Sequence, residues 1–478
     1  MRLSPLALAL AVLPLCAQVK EIPTTQKDLQ SLAVTIYNEN LALVKDTREV
    51  RLPKGELALA FQEVSAQIRP ETALLRDITH PEGFWVIEQN FDFDLLTPQK
   101  LLDKYVGEKV GIIITQREDN GKVTEKREEA LVLATNSGTV LQFPDRIETS
   151  YVGRIVFPKV PENLRARPTL VISLNSPLAA AQKLELSYLT GGLAWRADYV
   201  ANLASDERTM DLSGWVTLTN TSGVAYPNAT LQLVAGDVNR APEPRRAYKN
   251  GGAIVEVMAS AAPQMKEEGL FEYHLYTLDR PTTIKAAQTK QVALLSASSI
   301  PVRKEYLLRG ESYYYQGSYG EIGAKLKVGV FILFDNREAN HMGMPLPKGV
   351  VRVYKRDSEG RAQFIGEDAI DHTPKNETVR LKLGDAFDVT ARRKQTDYKS
   401  LGAIGKYHYN YETAFEVELK NAKKEAVTVS VLEPIYGDWE IIQESHPHTK
   451  EAAGAAKFKV TVPAEGTAKL TYRVRTKW

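Results

Sequence analysis

Cysteine is almost missing from this 478-residue chain: Cys16 is its single thiol. Disulfides within the chain, cysteine pairs for catalysis and thiolate metal sites are thereby excluded. An excess of one charge sign is missing too, with 61 Lys and Arg against 59 Asp and Glu, and no field draws the chain to nucleic acid or anionic lipid. Apolar runs of the roughly 20 residues needed for a transmembrane helix are lacking. So are the short catalytic signatures: no G-x-S-x-G, H-E-x-x-H, P-loop or EF-hand loop occurs. No motif asks for a cofactor, and none is expected. Helical periodicity is scarce.

What is present begins with a leader. Residues 1–17, MRLSPLALALAVLPLCA, place Arg2 before an apolar stretch from Leu6 to Leu15, the pattern of a secretory signal peptide. Cleavage after Ala17 fits better than lipoprotein processing at Cys16, because Leu15 is bulky where that processing takes a small residue. Acylation of Cys16 is the other outcome. The chain is expected to be exported, to the periplasm or the cell surface, with no transmembrane segment once the leader is gone.

Period-two alternation fills the remainder and predicts an all-β, multidomain protein. Residues 28–97, continued by 159–194, read as an N-terminal β-sandwich, with Pro53-Lys54-Gly55 as a turn between strands. Residues 98–158 read as an inserted small SH3-like barrel, entered through a short helix capped by Thr97 and opened by Pro98. A central sandwich is expected over 195–400, interrupted by a mobile loop at 240–268 rich in glycine, proline and alanine. Residues 401–478 alternate most cleanly and read as an immunoglobulin-like sandwich without its disulfide.

Several segments together carry a resemblance: IYNENLALVKDTREVRLPKG, GGLAWRADYVANL, GWVTLTNTSGVAYPNATLQLVAGDV, FEYHLYTL and MGMPLPKGVVRVYK, followed by FIGEDAIDHTPKNETVRLKLGDAFDV. Their number and order resemble an exported bacterial family that carries the domain of unknown function shared with the C-terminal part of mucoidy inhibitor A proteins. The resemblance implies an exported β-sandwich protein of the cell envelope. The helical coiled-coil segment associated with mucoidy inhibitor A proteins is lacking.

Candidate sites are few. Glu367, Asp368, Asp371 and His372 set three carboxylates and an imidazole within six residues, a donor set suited to a hard cation; an edge strand followed by a turn is the structural alternative. Asp92 and Asp94 share a strand face about 7 Å apart, near the carboxylate spacing of inverting glycosidases. In Trp195-Arg196-Ala197-Asp198-Tyr199 the aromatics share one face and Arg196 the other, so Trp195 and Arg196 serve either interlayer packing or binding. Tyrosine outnumbers the other aromatics, 21 against 13 Phe and 5 Trp. Tyr313, Tyr315, Tyr407 and Tyr409 are candidate contact residues, able to stack on a glycan or anchor an envelope protein. The reading is a non-catalytic envelope scaffold or binding protein; the alternative is a secreted carbohydrate-active or metal-dependent hydrolase.

Overall fold

A computed structural model of the chain describes residues 20–478 except 39, 93, 118–122, 137, 162–163 and 240–264. The leader at 1–17, Cys16 and most of the loop expected at 240–268 lie outside the described residues. The fold is all-β and the chain divides into two compact units.

The first unit takes in the chain up to Ala194 and two later returns, 219–233 and 280–289. Strands β1 (Leu29–Tyr37), β2 (Leu41–Leu52) and β3 (Gly55–Gln62) follow one another closely. The turn expected at Pro53-Lys54-Gly55 joins β2 to β3, and Gly55 takes a φ of 101° that a side chain would resist. Strand β4 spans Trp85–Asp92. Next comes α1 (Pro98–Lys104), whose Thr97 hydroxyl accepts the Lys100 N–H at 3.1 Å, so the cap reads as the sequence suggested.

The insert continues with β5 (Lys109–Arg117) and β6 (Val123–Ala134), and three short strands complete a five-stranded sheet. Its core joins Leu102 and Tyr105 of the helical turn to Val110, Ile112, Val132 and Phe143. Among the described residues the edge strands, Ile147–Glu148 and Arg154–Val156, pair only inward. The sheet therefore stays open where an SH3-like closure was expected. Strands β7 (Thr169–Ser176) and β8 (Ala180–Thr190) return to the first layers, β7 between β3 and β4, β8 beside β2. Buried among them, Arg48 grips Asp46 at 2.7 Å, donates to the Thr24 carbonyl and lies 3.9 Å from the Phe61 ring centre. A buried guanidinium needs every such partner.

The second unit, 195–218, 234–279 and 290–478, is built mainly from twelve strands. They are β9 (Leu193–Leu203), β10 (Thr209–Asn220), β11 (Gln288–Arg309), β12 (Glu321–Asp335), β13 (Gly349–Arg356), β14 (Ala362–Ile370) and β15 (Thr378–Ser400). Then come β16 (Asn410–Asn421), β17 (Val427–Pro434), β18 (Asp438–Glu444), β19 (Ala455–Val462) and β20 (Gly466–Lys477). Met265–Leu270, whose first residues belong to the expected loop, forms a hairpin with Tyr273–Leu278.

The main sheet runs β14-β13-β9-β10-β11-β12-β15-β16-β20-β18. It curls until β14 approaches β15: the Lys382 N–H donates to Asp368 Oδ2 at 2.7 Å, and a Cβ on Gly366 would lie 2.5 Å from the Leu383 carbonyl oxygen. Only glycine permits that approach. Residues 401–478 share one apolar core with earlier strands, in which Phe415, Val431, Phe458 and Tyr472 meet Tyr306, Leu308 and Val328. β17 pairs in parallel with β11, Tyr306 opposite Val429, and draws this segment into the larger sheet.

Candidate functional site

At the ends of β15, β16 and β20 the exposed candidate Tyr409 joins three partly buried aromatic side chains. Register brings it about. Tyr398 lies opposite Thr413 and Tyr411 opposite Ser400, and as diagonal neighbours on one sheet face the two rings stack at 5.4 Å and 28°. Tyr409 continues the stack on Tyr411 at 6.2 Å and 24°. Trp478 closes it, 5.4 Å from Tyr411 and 6.2 Å from Tyr409, its backbone exchanging hydrogen bonds of 3.0 and 3.1 Å with Tyr409. Burial, then the adjoining Tyr411 hydroxyl, pushes the Tyr398 phenol above its ordinary range. The loop between β15 and β16 adds Leu401 and Ile404, both exposed, and Tyr407, whose hydroxyl donates to Asp438 at 3.0 Å. Tyr409 itself is 52% exposed.

A second aromatic group borders the first. Ser312–Tyr315 is a turn of 3₁₀ helix, and with three residues per turn its consecutive side chains point about 120° apart. Tyr313 therefore faces solvent, edge-on to Tyr314 at 4.8 Å and Tyr319 at 5.8 Å, while Tyr314 and Tyr315 turn inward. Tyr313 and Tyr315 were both candidate contact residues; the helical turn separates them. Tyr315, 2% exposed, is no contact residue.

Tyr315 is instead the anchor of the segment. Its hydroxyl donates to Glu433 Oε2 at 2.8 Å, and Glu433 is held by Arg393 through contacts of 2.6 and 2.8 Å, both side chains wholly buried. Burial pushes the Tyr315 phenol far up, and the Glu433 charge adds to it, so the hydroxyl remains a donor. Gln395 fastens the other end, donating to the Gly317 carbonyl at 2.9 Å and accepting the Tyr319 N–H. The exposed tyrosines thus stand on a rigid base.

The other candidates are committed elsewhere. Trp195 is 5% exposed and packs inside, which removes it from the binding set. Arg196 is exposed but pairs with Asp198 at 3.1 Å; Asp198 also accepts from Thr217 at 2.8 Å and Arg352 at 3.1 Å. Burial would raise the Asp198 carboxyl, yet these donors outweigh it and hold it low. Arg352 turns its Nε to Glu367 at 3.1 Å. Asp368 accepts backbone N–H groups of Lys382 and Ala369. The Asp371 carbonyl accepts the Thr373 hydroxyl, and His372 Nδ1 accepts the Lys348 N–H at 3.2 Å. Burial and then the Lys348 charge lower the His372 imidazole, which favours the neutral ring. Among the described residues no three His, Cys, Asp or Glu side chains are gathered as a metal site. Asp92 pairs with Arg165 at 2.9 Å, and Asp94 with Lys100 and Lys104 at 3.2 and 3.0 Å.

Tyr398 and Trp478 escape a reading of the sequence as contact residues. Both become neighbours of Tyr411 only through strand pairing, and no local pattern announces it.

The comparison with curated proteins yields no match. Residues 184–478 match the profile of a family described as a domain of unknown function, DUF4139, a stretch that includes both aromatic groups. The chain belongs to the DUF4139 family.

Proposed function

We propose that this chain is an exported, non-catalytic binding protein of the cell envelope, and that the joined aromatic groups around Tyr313, Tyr398, Tyr409 and Trp478 are its contact surface. The observation that carries the reading is the stack itself, half-exposed Tyr409 on the partly buried Tyr411 and Tyr398, together with a Tyr313 segment anchored by the buried Arg393–Glu433–Tyr315 group. Rigid aromatics lose little entropy when a partner covers them. The partner class follows from how the rings are used. Tyr398, Tyr411 and Tyr409 spend their faces on one another, whereas a sugar ring needs a free face. Exposed Leu401 and Ile404 alongside add aliphatic area, the mixture that protein interfaces favour. The partner is accordingly a protein.

A photo-crosslinking residue at Tyr409 of the mature chain, exposed to envelope extract, tests this. A discrete protein adduct is expected, competed by unlabelled wild-type chain and not by a chain carrying Tyr313→Ala and Trp478→Ala. With the partner purified, each alanine should weaken binding by about 1 to 2 kcal/mol. Saturable binding of soluble envelope polysaccharide at Tyr409, with no protein adduct, would overturn the assignment.

A further inference from the structure

Where the main sheet of the second unit curls, it leaves a cavity of about 190 Å³. Five apolar side chains from four strands line it: Leu203 of β9, Val330 and Ile332 of β12, Ile365 of β14 and Leu383 of β15. Polar groups collect at one place. Glu207, in the turn between β9 and β10, accepts Lys304 Nζ on Oε2 and Lys355 Nζ on Oε1, each at 2.6 Å. Glu207 holds a left-handed φ of 58°, a conformation that costs a residue with a side chain about 1 kcal/mol or more. Beyond it Asp385 lies 3.4 Å from Lys327 and 3.8 Å from Lys382. At Glu207, two ammonium groups therefore face one carboxylate.

We propose that this mouth binds a small amphipathic carboxylate, its head between Lys304 and Lys355 in the place Glu207 now fills, and its tail against Leu203, Ile332, Ile365 and Leu383. Three observations meet here. Apolar walls with a few convergent polar groups at the mouth of a curled sheet make the ordinary form of a small-molecule site. Two ammonium groups converging on one carboxylate position select an anion. Glu207, Lys304 and Lys355 are each between 25% and 31% exposed, so an external carboxylate can reach the position that Glu207 fills. The volume falls below that of drug-sized pockets and limits the guest to about ten non-hydrogen atoms, such as a six-carbon acid.

The test uses the whole mature chain with methyl-labelled Ile, Leu and Val, titrated with hexanoate, hexanol and hexylammonium up to about 20 mM, a range that reaches millimolar affinities. Hexanoate is expected to shift the Ile332 and Ile365 methyls saturably, and the other two probes to leave them in place. Glu207→Gln removes the internal competitor and should tighten hexanoate binding about tenfold. Lys304→Met should abolish it and Lys355→Met weaken it, so the variants move in opposite directions and a general loss of fold cannot imitate the pattern. No saturable shift in either wild type or Glu207→Gln overturns the proposal. Equal binding of hexanol, or weaker hexanoate binding in Glu207→Gln, overturns it as well. Should Glu207→Gln fail to give a folded methyl spectrum, the wild-type probe series and Lys355→Met decide alone.

Discussion

Replacing Glu433 by Gln removes one charge and almost no volume. Its carboxylate is fully buried and receives two hydrogen bonds from Arg393 and one from Tyr315. After the change the guanidinium remains at 0% exposure, its Nε lacks a partner, and its other acceptor, the Tyr472 hydroxyl at 3.4 Å, is neutral, so among the described residues no second carboxylate takes up the charge. Breaking a buried pair from one side costs about 3 to 5 kcal/mol. For a unit of this size each kcal/mol lowers Tm by about 2 to 4 °C, which places the fall between about 6 and 20 °C. Scanning calorimetry of the intact chain measures it. Arg393→Met should cost a similar amount, because it strands the carboxylate instead. The double variant Arg393→Met/Glu433→Leu fills the space with apolar groups and should recover most of the loss, as replaced buried pairs do. If either single variant lowers Tm by less than about 3 °C, or the double variant loses as much as the two singles together, the pair does not carry the strain assigned to it.

Tyr315→Ala should destabilise by about 3 to 5 kcal/mol in urea unfolding, while Tyr313→Ala, on the same turn but exposed, should stay within about 0.5 kcal/mol. Gly366→Ala should push β14 from β15 and cost more than about 2 kcal/mol, against about 1 kcal/mol for Gly360→Ala, where the added methyl meets nothing within 4 Å. Burial alone would raise the Glu207 carboxyl, but its two lysine partners bring it from 4.5 down to about 2. A carboxyl lowered on folding stabilises above its unfolded value and loses that contribution as pH falls. The stability gap between wild type and Glu207→Gln, open at pH 7, should accordingly close between about pH 4.5 and 2, as followed by urea midpoints.

Local chemistry was readable in the sequence wherever neighbours in the chain decide it. The Pro53–Gly55 turn, the Thr97 cap and the alternation of Phe415, Val417 and Leu419 each depend on a few adjacent residues, and the structure places them accordingly. Long-range pairing was not readable. Nothing in Gly349–Arg356 says that it will lie parallel to β9, or in Val427–Pro434 that it will join β11, so 401–478 read as a body of its own. Tyrosine exposure was half legible: the excess of tyrosine drew attention to Tyr313 and Tyr409, but one turn of 3₁₀ helix reassigned Tyr315 to the interior. The lysine pair on Glu207 is invisible in sequence, since its three members come from a turn and two distant strands.

The parallel partnership of β11 with β17 has a consequence for biogenesis. A ribosome delivers Tyr306–Arg309 long before Val429–Leu432 exists to meet it. Through that interval the end of β11 offers an unsatisfied edge, with Tyr306 and Leu308 waiting for a core that the last part of the chain completes. Such an edge recruits any other nascent strand it encounters. Until Val429–Leu432 is present to pair with it, this end of β11 has to be kept apart from the same edge on other copies.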